Sequence, residues 1–263
     1  MDIIQALILG IIQGLTEFLP VSSSGHLEIA KILLNVEVKE TLSFSVAVHG
    51  ATVLSTIVVF WKDIVTITKG LFKFRWNEET KFVAFIIISM IPVGLVGAFF
   101  KDSVEELFNG NILLVGLMLL VTAVLLTLSM VIKHKKEKEI TFRDAFIIGI
   151  AQAVAVIPGI SRSGATIATG LMLGKRRPEV ARFSFLMVLI PILGANFLDI
   201  ISGSFSSDAG VGTLPIIVGF VSAFVVGLFA CKFMIKLINQ KRLIWFALYC
   251  AVVAIIAITS SIF

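Results

Sequence analysis

Two short polar runs interrupt an otherwise apolar chain, and together they hold the residue types that phosphate chemistry requires. The first reads Leu19-Pro20-Val21-Ser22-Ser23-Ser24-Gly25-His26 and follows Gln13 and Glu17, which share one helix face. It offers a hydroxyl nucleophile, an imidazole acid or base, and a carboxylate able to orient a base or hold a metal. The second reads Pro158-Gly159-Ile160-Ser161-Arg162-Ser163-Gly164, with Thr166 close behind. Arg162 brings a rigid donor fork suited to phosphate oxygens, and a Gly/Ser turn opening a short helix adds an anion-binding concavity. A charge embedded in apolar chain is costly unless paired or solvated, so Glu17 and Arg162 are read as site residues. The structural alternatives are a Glu17 that caps a neighbouring hairpin and an Arg162 that only neutralises Glu17. The second does not account for the hydroxyls of Ser161, Ser163 and Thr166, which an ion pair does not need. His26 is read as functional because of its company. His49, alone in an apolar span, is read as structural, and His134, in a Lys/Glu-rich loop, as solvated.

The elements that must position these residues are membrane helices. The chain has 263 residues, 58% of them hydrophobic and 15% charged, with a mean hydropathy of +1.05. A globular domain carries about 25% charged residues, so this chain cannot cover a soluble surface. The composition also excludes a disordered protein, a nucleic-acid-binding domain and a disulfide scaffold. Cys231 and Cys250 sit in or beside apolar runs and are silent about redox compartment. A spanning helix needs about 20 apolar residues, which predicts spans over 42–60, 82–100, 111–132, 183–201, 213–231 and 243–262. The apolar stretches 3–19 and 142–157 differ, because each runs into one of the polar breaks. The apolar pieces that follow, 27–34 and 165–174, are too short to span. Asp2 and the lack of a small-residue cleavage site argue against a signal peptide.

Charge fixes the expected topology. Stretches 62–81, 133–144, 175–182 and 232–242 hold five, five, four and four Lys/Arg, whereas 31–40, 101–110 and 202–212 hold two, one and none. The positive-inside rule makes the first group cytoplasmic. Segment 145–174 then enters and returns on the cytoplasmic side, and 3–34 does so from outside, leaving the N-terminus extracytoplasmic. The two hairpins are also alike: 6–26 set against 145–165 without a gap gives eight identities in 21 positions, including Gln13/Gln152 and Ser22/Ser161, Ser24/Ser163, Gly25/Gly164. The expected fold is an all-α integral membrane protein with six transmembrane helices and two re-entrant helical hairpins related as inverted-topology repeats. It forms one membrane domain over 1–263, with repeat 1 about 1–132 and repeat 2 about 142–263.

The stretches Leu9–His26 and Pro158–Thr166 resemble the two signatures of the bacterial undecaprenyl-diphosphate phosphatases linked to bacitracin resistance. The resemblance covers essentially the whole chain, including Phe-Ser-Phe-Leu at 183–186. It implies removal of the terminal phosphate from undecaprenyl diphosphate, which regenerates the lipid carrier for peptidoglycan synthesis, and dependence on a divalent cation, Mg²⁺ or Ca²⁺. It also implies that Gln13 and Glu17 fill the motif's Glu-or-Gln and Glu places as metal ligands. By the same pattern Ser22, Ser23 and His26 line the reacting centre, and Ser161, Arg162, Ser163, Gly164 and Thr166 form the phosphate loop. Gln152 and Glu28 receive no role from it.

The expected mechanism has Ser23 attack the terminal phosphorus with His26 as base or proton shuttle, while water or His26 itself stays open as the nucleophile. The expected partners are a polyprenyl diphosphate and membrane lipids, with no nucleic acid; a homo-oligomer stays open. The expected location is the plasma membrane, with the site opening to the extracytoplasmic face. The alternative from another class is a flippase that moves polyprenyl phosphate through the same inverted-repeat site.

Overall fold

The computed structural model describes residues 1–36, 42–108, 110–132, 134, 137–194, 212–240 and 242–262, and the regular elements among them are helices, with no β-strand. In chain order the helices are α1 (Ile3–Thr16), α2 (Ser23–Leu33), α3 (Leu42–Val59), α4 (Trp61–Leu71), α5 (Glu78–Phe99), α6 (Lys101–Glu105) and α7 (Ile112–Val131). They continue with α8 (Phe142–Val154), α9 (Arg162–Met172), α10 (Arg177–Met187), α11 (Thr213–Asn239) and α12 (Ile244–Ile262). Among the described residues α5, α7, α11 and α12 are long and apolar enough to cross a membrane, and α3 with α4, bent by 74°, makes a fifth candidate. The chain is therefore a multi-pass membrane protein. The stretch 62–81, read as a basic loop, opens with α4 instead. Of the span expected over 183–201, α10 ends at Met187, helical backbone resumes at 189–194 after a turn at Val188, and 195–201 lie outside the described residues.

The short helices begin earlier than apolarity alone suggests, at Ser23 and Arg162 rather than near 27 and 165. The reason is capping. Ser22 and Ser161 are N-cap residues whose side chains accept from the Gly25 and Gly164 amides, satisfying donors that a helix start leaves unpaired. Most of each Ser/Gly motif is thus the first turn of a helix. The helices leading into the breaks, α1 and α8, both start from capping boxes, Asp2 with Gln5 and Thr141 with Asp144.

Glycine sets the tight helix contacts that hold the breaks in place. α1 lies along α11 so closely that a Cβ on Gly10 would come within 2.1 Å of Ser222 Oγ and 2.5 Å of the Gly219 carbonyl oxygen. α8 lies along α5 in the same way, a Cβ on Gly149 falling 2.4 Å from the Ser89 carbonyl oxygen. Helices α7 and α12 form a further close pair. Phe18, Phe60, Phe183, Phe185 and Met234 fill the largest apolar cluster, which joins the first break to α3, α10 and α11.

Candidate active site

The first break turns through Ser22, whose φ of +70° puts a non-glycine residue in the left-handed region. Such strain of backbone is kept only where surroundings over-determine it. The turn swings the start of α2 back toward the end of α1. Ser23 Oγ there donates to Glu17 Oε2 at 2.6 Å, and Gln13 Nε2 donates to the same oxygen at 3.0 Å. Glu17 is 8% exposed. Its other oxygen pairs with Arg162 Nη2, which arrives from the first turn of α9. A buried carboxylate from one half of the chain is thereby neutralised by a cation from the other half.

Helix α7 anchors the second break. Thr122 Oγ1 donates to the Gly159 carbonyl at 3.1 Å and accepts from the Ser161 N–H at 3.0 Å. Gly159 has φ +95°, and a Cβ there would lie 2.6 Å from the Val115 carbonyl oxygen, so only glycine fits the turn. Ser163 Oγ reaches the Leu19 carbonyl at 3.3 Å and ties the two breaks together. Thr166 Oγ1 shares a 2.6 Å hydrogen bond with Ser184 Oγ on α10 and is buried.

A cavity of about 590 Å³ opens where the breaks meet. Glu17, Ser23, Ser161, Arg162, Ser163 and His49 are among its polar lining, and Val46, Val93, Phe108, Pro191 and Ile192 among its apolar walls. A charged, hydroxyl-rich end continuous with an apolar wall suits a phosphorylated lipid. Of the residues singled out by sequence, Glu17, Ser23, Ser161, Arg162 and Ser163 come together here, with Gln13 directly behind Glu17. Ser22, Gly164 and Thr166 serve the caps and packing beside the cavity. Their side chains and amides are spent on Gly25, Ser161 and Ser184 respectively.

The expected pairing of Ser23 with His26 is not formed. The His26 ring has Nδ1 on the Ser22 carbonyl oxygen at 2.8 Å and Nε2 on the Tyr249 hydroxyl at 2.9 Å, and it stacks on Tyr249 with centroids 5.6 Å apart. Both nitrogens are engaged, and His26 is not among the cavity-lining residues. Ser23 has Glu17 as its acceptor instead.

His49, read from sequence as structural, lines the cavity, with Nδ1 bonded to the Ser45 carbonyl oxygen at 2.8 Å. The overlooked signal was a polar stripe: Ser45, His49, Thr52 and Thr56 follow helical spacing along one face of an apolar helix, and all four line the cavities at the breaks. Tyr249, the only tyrosine in the chain, was likewise passed over.

No group of three or more His, Cys, Asp or Glu side chains gathers among the described residues. The donor set nevertheless fits a hard cation. Glu17 accepts three hydrogen bonds and so keeps about one of its roughly four acceptor sites, and Gln13 Oε1 beside it is buried with no partner. Sites for Mg²⁺ commonly use only one or two protein carboxylates and take the rest of the shell from phosphate oxygens and water.

Comparison with known proteins identifies the family. The family model described as bacitracin resistance protein BacA matches residues 6–256. A protein from Bacteroides fragilis named undecaprenyl-diphosphatase is 54% identical over 99% of both chains, and one of that name from Parabacteroides distasonis is 53% identical over 98% of both. A third of the same name, from Methanosphaera stadtmanae, is 39% identical over 100% of this chain and 99% of its own.

Proposed function

The chain belongs to the bacitracin resistance protein BacA family, and we propose that it carries out the reaction its relatives are named for. It hydrolyses undecaprenyl diphosphate to undecaprenyl phosphate and inorganic phosphate, returning the lipid carrier to peptidoglycan synthesis. The observation that carries this reading is the cavity shared by Ser23, Glu17 and Arg162, with apolar walls continuous with it.

The reaction proceeds in two displacements. Ser23 Oγ attacks the terminal phosphorus and passes its proton to Glu17 Oε2, to which it is already hydrogen-bonded. The bond between that phosphorus and the bridging oxygen breaks, and undecaprenyl phosphate leaves as an anion. Arg162 and the α9 N-terminus offset the charge of the diphosphate and the charge developing at the leaving oxygen. Water then attacks the phosphoserine, Oγ recovers its proton from Glu17, and phosphate is released. His26 lies three residues from Ser23 on α2, on the same face, and serves as base for that water once its ring leaves Tyr249. Glu17 and Gln13 would hold the Mg²⁺ or Ca²⁺ that the resemblance implies. When bound, the ion supplies neutralisation of the diphosphate charge.

The finer architecture belongs to the same proposal. Six spans and two re-entrant hairpins form one membrane domain of inverted repeats over 1–263. Support comes from how the halves interlock: α1 rests on α11 and α8 on α5, each through the equivalent glycine, while α7 and α12 pair with each other. The N-terminus and the site face the extracytoplasmic side of the plasma membrane. The basic stretches that the positive-inside rule assigns to the cytoplasm support this, as do Trp61, Trp76 and Trp245, exposed by 59%, 69% and 67% near those stretches.

One experiment tests the function. Purified protein in detergent, given a polyprenyl diphosphate and Mg²⁺, is expected to release inorganic phosphate. Detergent has no compartments, so an absence of phosphate there would overturn the enzyme reading.

A further inference from the structure

The second hairpin contains a glutamine whose side chain has no partner. Gln152 lies in the last turn of α8, is 2% exposed and borders the cavity. Neither Nε2 nor Oε1 has a hydrogen-bond partner. Buried amides are nearly always satisfied, so an orphan at a cavity wall calls for an explanation. Its counterpart, Gln13, shows what is missing. Gln13 Nε2 donates to Glu17 Oε2, whereas the residue equivalent to Glu17 in the second hairpin is Val156. Valine offers no acceptor at that place, so the Gln152 amide is left over. Arg162, on the same hairpin and the same cavity, has a second orphan: Nη2 is held by Glu17, and Nη1 is buried without a partner.

We infer that Gln152 is a substrate-binding residue whose amide, together with Arg162 Nη1, holds the phosphate that stays on the lipid. The two hairpins then divide the substrate. Ser23 and Glu17 work on the phosphorus that is transferred, and the unspent donors Gln152 Nε2 and Arg162 Nη1 take the phosphate that departs with the prenyl chain. Both donors serve an anion with several free oxygens. This inference rests on the phosphatase reading, so its test carries a binding arm that needs no turnover.

Kinetics in detergent with farnesyl diphosphate should show KM raised about ten- to hundredfold in Gln152→Met, with kcat within about threefold. Gln152→Glu, which places a carboxylate against the phosphate, should raise KM further. Binding of the non-hydrolysable farnesyl methylenediphosphonate should weaken by the same factor, while inorganic phosphate should compete equally with both forms. Methionine nearly matches glutamine in volume, and an unchanged melting temperature and elution profile would verify the fold. Variants with unaltered KM and unaltered analogue binding would overturn the inference. A wild-type protein that bound the analogue in a Gln152-dependent way yet released no phosphate would instead remove the phosphatase reading and leave this one standing.

Discussion

Ser22 accepts from the Gly25 amide at 3.2 Å and lies 3.3 Å from Ser24 Oγ; Ser161 accepts from the Gly164 amide at 3.1 Å and lies 3.3 Å from Ser163 Oγ. The two breaks therefore start their second helices with the same hydrogen bonds, and both first helices begin from a capping box. The side chains placed on this shared frame are opposite in kind. Where the first hairpin has Glu17, Ser23 and His26, the second has Val156, Arg162 and Ala165. Apart from the paired glutamines Gln13 and Gln152, the repeated residues named here hold backbone, and the divergent ones carry the charge. Because Glu17 pairs with Arg162 across the halves, neither hairpin is electrostatically complete alone.

The largest effects should come from breaking the divergent positions. Ser23→Ala should lower phosphate release by about 10³-fold or more while the protein melts normally, since the proposed mechanism makes Oγ the attacking atom and it caps nothing. Near-full turnover in that variant would eliminate the covalent serine. Glu17→Gln should lose activity to a similar degree together with its response to Mg²⁺. It should also melt lower, because removing one charge of a buried pair costs about 3–5 kcal/mol. An active Glu17→Gln that still responds to the cation would take Glu17 out of both roles.

Next come the repeated glycines, which should affect stability and not chemistry. Gly10→Ala and Gly149→Ala each push a methyl into a backbone carbonyl of the facing helix, at 2.5 Å and 2.4 Å. Overpacking of this kind costs about 1–3 kcal/mol. The two variants should lower the melting temperature in detergent by similar amounts, with KM little changed. A large loss at one and none at the other would mean that the frame is not shared.

Sequence made the breaks and their kinship legible because Pro, Gly and Ser mark irregular backbone and because Glu17 and Arg162 are conspicuous in apolar surroundings. It placed the helix starts late, since hydropathy registers apolar residues and the first turns of α2 and α9 are Ser, Gly, His and Arg. It put His26 with Ser23 because they are neighbours in sequence; the partner of Ser23 proved to be Glu17, and that of His26 is Tyr249 on α12. Tyr249, whose ring and hydroxyl meet His26 from another helix, carried no local signal. The 74° bend after α3 was invisible for a related reason, as the apolar run ends there without a proline or glycine.

The smallest expected difference lies at the outer ends of the hairpins and separates them by pH. In each, the third residue of the first helix reaches across to the end of the second. Gln5 Nε2 donates to the Leu34 carbonyl at 3.0 Å, and Asp144 Oδ2 pairs with Lys175 Nζ at 2.6 Å. The first tether is neutral and the second is ionic. Burial alone would raise the Asp144 pKa, but the Lys175 ammonium and the bonds from Thr141 outweigh it and hold the carboxyl below its ordinary value. A carboxyl with a depressed folded-state pKa stabilises fully above its unfolded value, and that stability is lost as pH falls through the folded one. Asp144→Asn should therefore be less stable than the parent at pH 7 by about 1–3 kcal/mol, and the gap should close as the pH is taken below the ordinary aspartate range. Gln5→Leu should show a gap that does not change over the same range. Melting curves of the three proteins in detergent decide it, and an Asp144→Asn gap that stays constant into acid would show the second tether to be as indifferent to charge as the first.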